Sequence, residues 1–144
     1  MNMNENVLNQ LAEIEEKNNG ANKKIKKMIS DYSFVLSMAY ARQNEKVINN
    51  CIELISNYYD LLRILKEDNN ERTNVIETGN MDEIKEYLKN NQLREAKFEE
   101  CYGKTISLNQ ELTKTMNKNW YTRYCIFYLR HYNGGFLWEK TQWM

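Results

Sequence analysis

The stretch VINNCIELISNYYDLLRIL, residues 47–65, decides the fold. Apolar side chains recur along it every three or four residues, at Val47, Ile48, Cys51, Ile52, Ile55, Tyr58, Tyr59, Leu62 and Leu65. This spacing gathers them on one side of an α-helix, whereas a half-buried strand would alternate residue by residue. The 144-residue chain also contains no proline, the residue that interrupts helices most strongly. Both observations predict a helical protein.

The same periodicity continues towards the N-terminus. Apolar residues repeat at three and four over 25–39, and the polar run 41–46 separates them from the next segment. A single helix over 22–68 would be about 70 Å long, whereas a compact domain of this size is some 35–40 Å across. We therefore predict a helical hairpin over 21–68 with a break near Asn44. One continuous helix in a coiled-coil rod is the alternative.

Polar interruptions divide the rest of the N-terminal part. A short helix is predicted over 1–20, ending at Asn18-Asn19-Gly20, because glycine adopts the left-handed conformation of a helix end readily. Residues 69–79 are predicted to be the one long connecting loop.

The C-terminal helices are predicted over 80–132. Asn80 followed by Asp82 and Glu83 is typical of a helix start. Interruptions are possible at 90–91 and at Gly103, and an aromatic tail follows over 133–144. The sequence therefore predicts an all-α protein: one domain, 1–144, forming a compact bundle of about five helices.

The charges cancel in total but not along the chain. Twenty acidic side chains balance 20 basic ones, which argues against a uniformly basic protein that coats nucleic acid. Residues 21–46 and 104–144 each carry a net charge of +4, and the other segments are acidic. The balance therefore leaves room for a local basic groove.

Aromatic residues concentrate at the C-terminal end. Nine of the seventeen lie in the last 25 positions: Trp120, Tyr121, Tyr124, Phe127, Tyr128, Tyr132, Phe136, Trp138 and Trp143. Such a terminus either docks on its own core or meets a partner, and Trp and Tyr dominate interface energetics. The leading hypothesis is a non-enzymatic protein-interaction module (an adaptor, assembly subunit or inhibitor) or a self-associating protein. All nine except Phe127 are predicted contact residues.

Basic residues interleaved with aromatic ones support a second hypothesis, nucleic-acid binding. Cations contact phosphates, and rings stack on the bases of single strands. A solvated helix face is the simpler interpretation of the lysine cluster. The candidate residues are Lys23, Lys24, Lys26, Lys27, Arg123 and Arg130.

A third, remote hypothesis depends on the single histidine, His131. Arg123 and His131 resemble the Arg-x(4–6)-His motif of HEPN-type ribonucleases, which are small all-helical proteins. Seven residues separate the pair in this chain, outside that spacing, and Arg130 directly precedes the histidine. The resemblance implies a His131-dependent ribonuclease.

No cofactor, metal site or small-molecule substrate is predicted. Cys51, Cys101 and Cys125 lack the short spacing of zinc ligands, so we expect buried free thiols in a reducing compartment. The N-terminus has no signal-peptide pattern, and no apolar run reaches about 18 residues, so a cytoplasmic protein without a membrane span is predicted. Abundant Asn, Lys, Ile and Tyr indicate an AT-rich genome, bacterial, protist, viral or of a mobile element.

Overall fold

A computed structural model describes residues 5–116 of the chain. These residues form three long helices, α1 (Glu5–Ala41), α2 (Glu45–Thr78) and α3 (Met81–Met116). At 1.5 Å per residue each helix is about 50–55 Å long. The all-α fold class is confirmed. The predicted count of about five helices is wrong across the described residues, which contain three.

Buried and half-buried core positions follow a heptad pattern in each helix. In α1 they are separated alternately by three and four residues: Leu11, Ile14, Asn18, Ala21, Ile25, Met28, Tyr32, Val35 and Ala39. The same alternation runs from Val47 to Val75 in α2, and from Ile84 to Met116 in α3 with one four-four step around Phe98. This repeat is that of a left-handed coiled coil. The helices therefore pack as an antiparallel bundle in which α2 contacts both α1 and α3.

The first reversal lies where the polar run 41–46 predicted it. Helix α1 ends at Ala41, and Gln43 adopts a left-handed conformation with φ 55°. Asn44 then caps α2, because its Oδ1 accepts a hydrogen bond from the Val47 backbone N–H at 3.2 Å. The predicted break near Asn44 is confirmed, and the alternative of one helix over 22–68 is wrong.

The second reversal uses glycine and asparagine. Gly79 adopts a left-handed conformation with φ 64°, and its N–H donates to the Val75 carbonyl at 3.0 Å. Asn80 Oδ1 accepts hydrogen bonds from the backbone N–H groups of Asp82 and Glu83 at 2.9 and 3.3 Å. The predicted helix start at Asn80 is confirmed.

The other predicted interruptions are wrong. Helix α1 continues through Gly20 and across the expected boundary with the 21–68 hairpin, and α2 continues through most of the expected loop 69–79. Helix α3 likewise continues through 90–91 and Gly103. These interruptions were predicted from polar residues and glycines, but each of those positions remains helical in helices of about 50–55 Å. Residues beyond Met116, including the end of 80–132 and the tail 133–144, lie outside the described residues.

The core has two apolar parts with a polar section between them. The larger part surrounds Tyr32, Tyr58 and Leu61, and reaches the first reversal. The smaller part, near the second reversal, consists of Leu11, Val75, Ile84 and Tyr87.

Candidate functional site

One buried carboxylate joins all three helices. The Asp68 side chain of α2 is 2% exposed. Its Oδ2 accepts hydrogen bonds from Asn18 Nδ2 of α1 at 2.9 Å, Arg72 Nη1 at 2.8 Å and the Tyr87 hydroxyl of α3 at 2.8 Å. A buried carboxylate is costly unless it is paired and hydrogen-bonded. Both conditions are met here.

The second oxygen of this carboxylate completes the arrangement. Asp68 Oδ1 accepts from Asn91 Nδ2 at 2.9 Å and from Arg94 Nη1 at 3.3 Å. Arg94 also pairs with Glu71, which accepts from Asn90 Nδ2 at 2.9 Å. Burial lowers the pKa of Arg94, but the hydrogen bonds and charges of Glu71 and Asp68 outweigh it and raise that pKa. The negative charges of Asp68 and Glu71 are therefore balanced by the positive charges of Arg72 and Arg94 between α2 and α3.

We refer to Asn18, Asp68, Arg72, Tyr87, Asn91 and Arg94 as the polar layer. Its members occupy core positions of the heptad pattern on all three helices. Sliding one helix by a heptad would bury Asp68 or Arg72 against apolar side chains without a partner. Buried polar residues of coiled coils select register in this way. The polar layer is therefore a positioning device of the fold.

Sequence reasoning missed the polar layer, although a signal was present. Asn18 lies seven residues after Leu11 and seven before Ile25, so it continues the heptad through a polar position. Asp68 stands in the same relation to Leu61 and Val75. A search at a spacing of seven, tolerating polar residues, would have found both.

A different buried cluster lies in the larger part of the core. The Tyr32 and Tyr58 rings stack with centroids 6.0 Å apart. The Asn109 amide donates a hydrogen bond to the Tyr32 hydroxyl. Within the described residues, the Tyr58 hydroxyl and Asn109 Oδ1 have no hydrogen-bond partner. Burial raises the pKa of both tyrosines well above its ordinary value.

Large apolar side chains are exposed in the half of the bundle that contains the first reversal. Ile52 and Tyr59, 46% and 53% exposed, are two turns apart on one face of α2. Tyr40, 57% exposed, lies in the last turn of α1. Met116 packs in the same part of the core as Ala39, so α3 ends at this side of the bundle. We call Tyr40, Ile52 and Tyr59 the turn-end surface.

The predicted lysine cluster lies on the outside of α1. All four lysines of 23–27 are exposed, and at 100° per residue they spread over about 160° of the helix. Lys26 lines a groove between α1 and α2 that also contains Lys66. The four lysines therefore do not form one narrow stripe. One of them, Lys26, lines the same groove as Lys66 of α2.

The remaining predicted site residues lie outside the described residues. They are Trp120, Tyr121, Tyr124, Tyr128, Tyr132, Phe136, Trp138, Trp143, Arg123, Arg130 and His131. Neither thiol that the structure describes forms a disulfide: Cys51 is buried and Cys101 is half-buried. Burial raises the pKa of Cys101. Over 5–116, no three metal-ligating side chains come together.

Comparison with known proteins finds no matching family model, no similar curated protein and no similar solved structure. None of the three described helices combines the length and the apolar composition that crossing a membrane requires.

Proposed function

We propose that this chain is a non-enzymatic protein-interaction module whose contacts lie at the first-reversal end of the bundle. The observation that carries the proposal is the turn-end surface, where Tyr40, Ile52 and Tyr59 are each about half exposed. From Met116, at the same end, the chain continues into the sequence that holds nine of its seventeen aromatic residues.

The composition around this surface favours association with protein. Segments 29–62 and 105–116 contain eight charged residues among 46, against 27 among 66 in segments 5–28 and 63–104. Interface centres are depleted in charge and enriched in Tyr and Trp. Covering the turn-end surface would therefore remove apolar area from water and desolvate few ions.

The stiffness of the bundle supports the same role. The polar layer holds the three helices in one register, so the turn-end surface is presented on a preorganised support. Preorganisation reduces the ordering cost of binding. We infer that Trp120, Trp138 and Trp143, with the other aromatic residues of the predicted contact set, contribute to binding the same partner.

Sedimentation and light scattering of the full chain test the proposal. The turn-end variant is Ile52→Ser with Tyr59→Ser, and a second variant is Trp138→Ala with Trp143→Ala. Leu93→Ser is the matched control, because Leu93 is 61% exposed but lies in the charged half of α3. Circular dichroism confirms that each variant folds.

If the chain self-associates, we expect both test variants to raise its dissociation constant at least about tenfold, whereas Leu93→Ser leaves it unchanged. If the wild-type chain is monomeric, the same variants are compared for retention of a co-purifying protein partner. A strictly monomeric chain whose partner binding survives both test variants would refute the proposal.

A further inference from the structure

A groove of about 410 Å³ lies between α1 and α2, on the flank of the polar layer. Its volume is within the range of small-ligand sites, roughly 300–1,000 Å³. Leu62 and Leu65 form its apolar part. Its polar part contains amides and cations, and no acid is present among the described lining residues: Asn18, Asn19, Asn22, Lys26, Lys66, Asn69 and Arg72.

The two lysines contribute positive charge that no described acid offsets. Lys26 comes from α1 and Lys66 from α2, and neither forms an ion pair within 5–116. Two exposed cations elsewhere in the bundle do form ion pairs: Lys17 pairs with Glu95 at 3.5 Å, and Arg63 with Asp60 at 3.0 Å. Burying an anion between Lys26 and Lys66 would therefore complete their pairing.

Hydrogen-bond donors accompany these charges. The buried Arg72 donates through Nη2 to Asn69 Oδ1 at 2.8 Å, which leaves the Asn69 Nδ2 group as a donor beside the groove. Asn19 and Asn22 add two further amides to the lining of the groove. The Arg72 charge is itself balanced by Asp68 at 2.8 Å, so this arginine positions Asn69 and the lysines supply the net charge.

We propose that this groove binds the phosphate group of a small molecule, either free phosphate or a phosphate monoester of nucleotide size. A phosphate monoester carries a charge of about −1.5 to −2 at pH 7 and three acceptor oxygens. Two lysines match that charge, and the amides of Asn69, Asn19 and Asn22 match the oxygens. Leu62 and Leu65 offer a surface for the organic part of an ester.

This site lies beyond the proposed interaction function, because it occupies a different stretch of the bundle. The sequence indicated no small-molecule site, since Lys26 and Lys66 are 40 positions apart and become neighbours through the packing of α1 on α2. The two functions can therefore fail independently.

Isothermal titration and amide-resolved NMR of the full chain at low salt test the proposal. The probes are inorganic phosphate, AMP and a short oligothymidylate without terminal phosphate. The groove variant is Lys26→Gln with Lys66→Gln. Lys85→Gln with Lys89→Gln is the matched control, because these two lysines of α3 are also exposed and the change in net charge is the same.

We expect saturable binding of phosphate or AMP, with shifts at Asn69 and around Lys66, that the groove variant weakens at least about tenfold and the control leaves within twofold. If inorganic phosphate and AMP bind with equal affinity, the site recognises the phosphate anion alone. If AMP binds more tightly, the site recognises a phosphate ester. The proposal is overturned if neither probe binds, if control and groove variants weaken binding equally, or if the oligonucleotide alone binds.

Discussion

The two halves of the bundle handle buried polar groups differently. In the half that contains the polar layer, Asp68 accepts five hydrogen bonds and its charge is balanced by Arg72 and Arg94. In the other half, Tyr58 and Asn109 each leave one buried polar atom without a hydrogen-bond partner among the described residues. The first half also carries most of the charged surface and exposes Leu8, Ile76 and Leu93, whereas the second exposes Tyr40, Ile52 and Tyr59 among fewer charges.

This difference shows that one helical repeat supports two kinds of core. A paired polar layer adds little net stability but opposes wrong registers, because misalignment would leave buried charges unpaired. An aromatic core stabilises the fold through the apolar area that it buries and through close packing. It tolerates a buried hydroxyl without a hydrogen-bond partner, but this lowers the stability of the fold. Specificity of alignment therefore resides mainly in the polar layer, whereas the exposed apolar side chains of the opposite half lie among few charges.

Removing the central carboxylate should produce the largest effect. In Asp68→Ala, Arg72 stays buried without its counter-ion, so we expect the free energy of unfolding to fall by about 3–5 kcal/mol. Urea denaturation followed by circular dichroism measures the change. Asp60→Ala is the control, because it breaks the exposed Arg63–Asp60 pair and should cost less than about 1 kcal/mol. Similar losses in the two variants would contradict the assigned role of the polar layer.

Removing the unpaired hydroxyl should have the opposite sign. We expect Tyr58→Phe to raise the free energy of unfolding by about 1–2 kcal/mol, because a buried hydroxyl without a partner is unfavourable. Tyr59→Phe, which removes an exposed hydroxyl, is the control. A loss of stability in Tyr58→Phe would show that this hydroxyl has a partner in solution.

The same variant has a signature at high pH. Burial raises the pKa of Tyr58 in the folded protein, whereas an unfolded tyrosine titrates near about 10. Protonated Tyr58 therefore contributes its full stabilisation to the folded state below about pH 10. This contribution is lost as the pH rises towards the higher pKa of Tyr58 in the folded protein. Each such tyrosine lowers the free energy of unfolding by about 1.4 kcal/mol per pH unit above pH 10. Urea titrations between pH 9.5 and 11 should therefore show a shallower decline in Tyr58→Phe.

Substitutions at the two reversals should produce the smallest changes in stability. Gly79 and Gln43 both have positive φ, 64° and 55°, but only one of them is glycine. Gly79→Ala should lower the free energy of unfolding by about 1 kcal/mol through backbone conformation alone, since nothing lies within 4 Å of an added Cβ. Gln43→Gly should raise it by about 0.5 kcal/mol, the relief of strain being partly offset by unfolded-state entropy. Thermal unfolding of both variants checks whether the signs are opposite.

The groove that contains Lys26 and Lys66 was less predictable from the sequence than the helices that form it. The lysines of 23–27 were identified from local composition, but their separation around α1 and the approach of Lys66 depend on helix packing. Three of the wrongly predicted interruptions began at or beside Asn18, Asp68 and Asn91. These residues belong to one polar layer, so a single physical cause explains the three errors.

The sequence by itself determined the all-α class, the reversal near Asn44 and the start of α3 at Asn80. Those features depend on short-range causes: apolar spacing at three and four, the absence of proline, and side chains that cap the next turn. The tertiary structure decided that Asn18, Asp68 and Asn91 remain helical and share one hydrogen-bonded layer. It did so because the partners of Asp68 on the other two helices lie about 20 to 50 positions away in the chain, and local patterning does not record them.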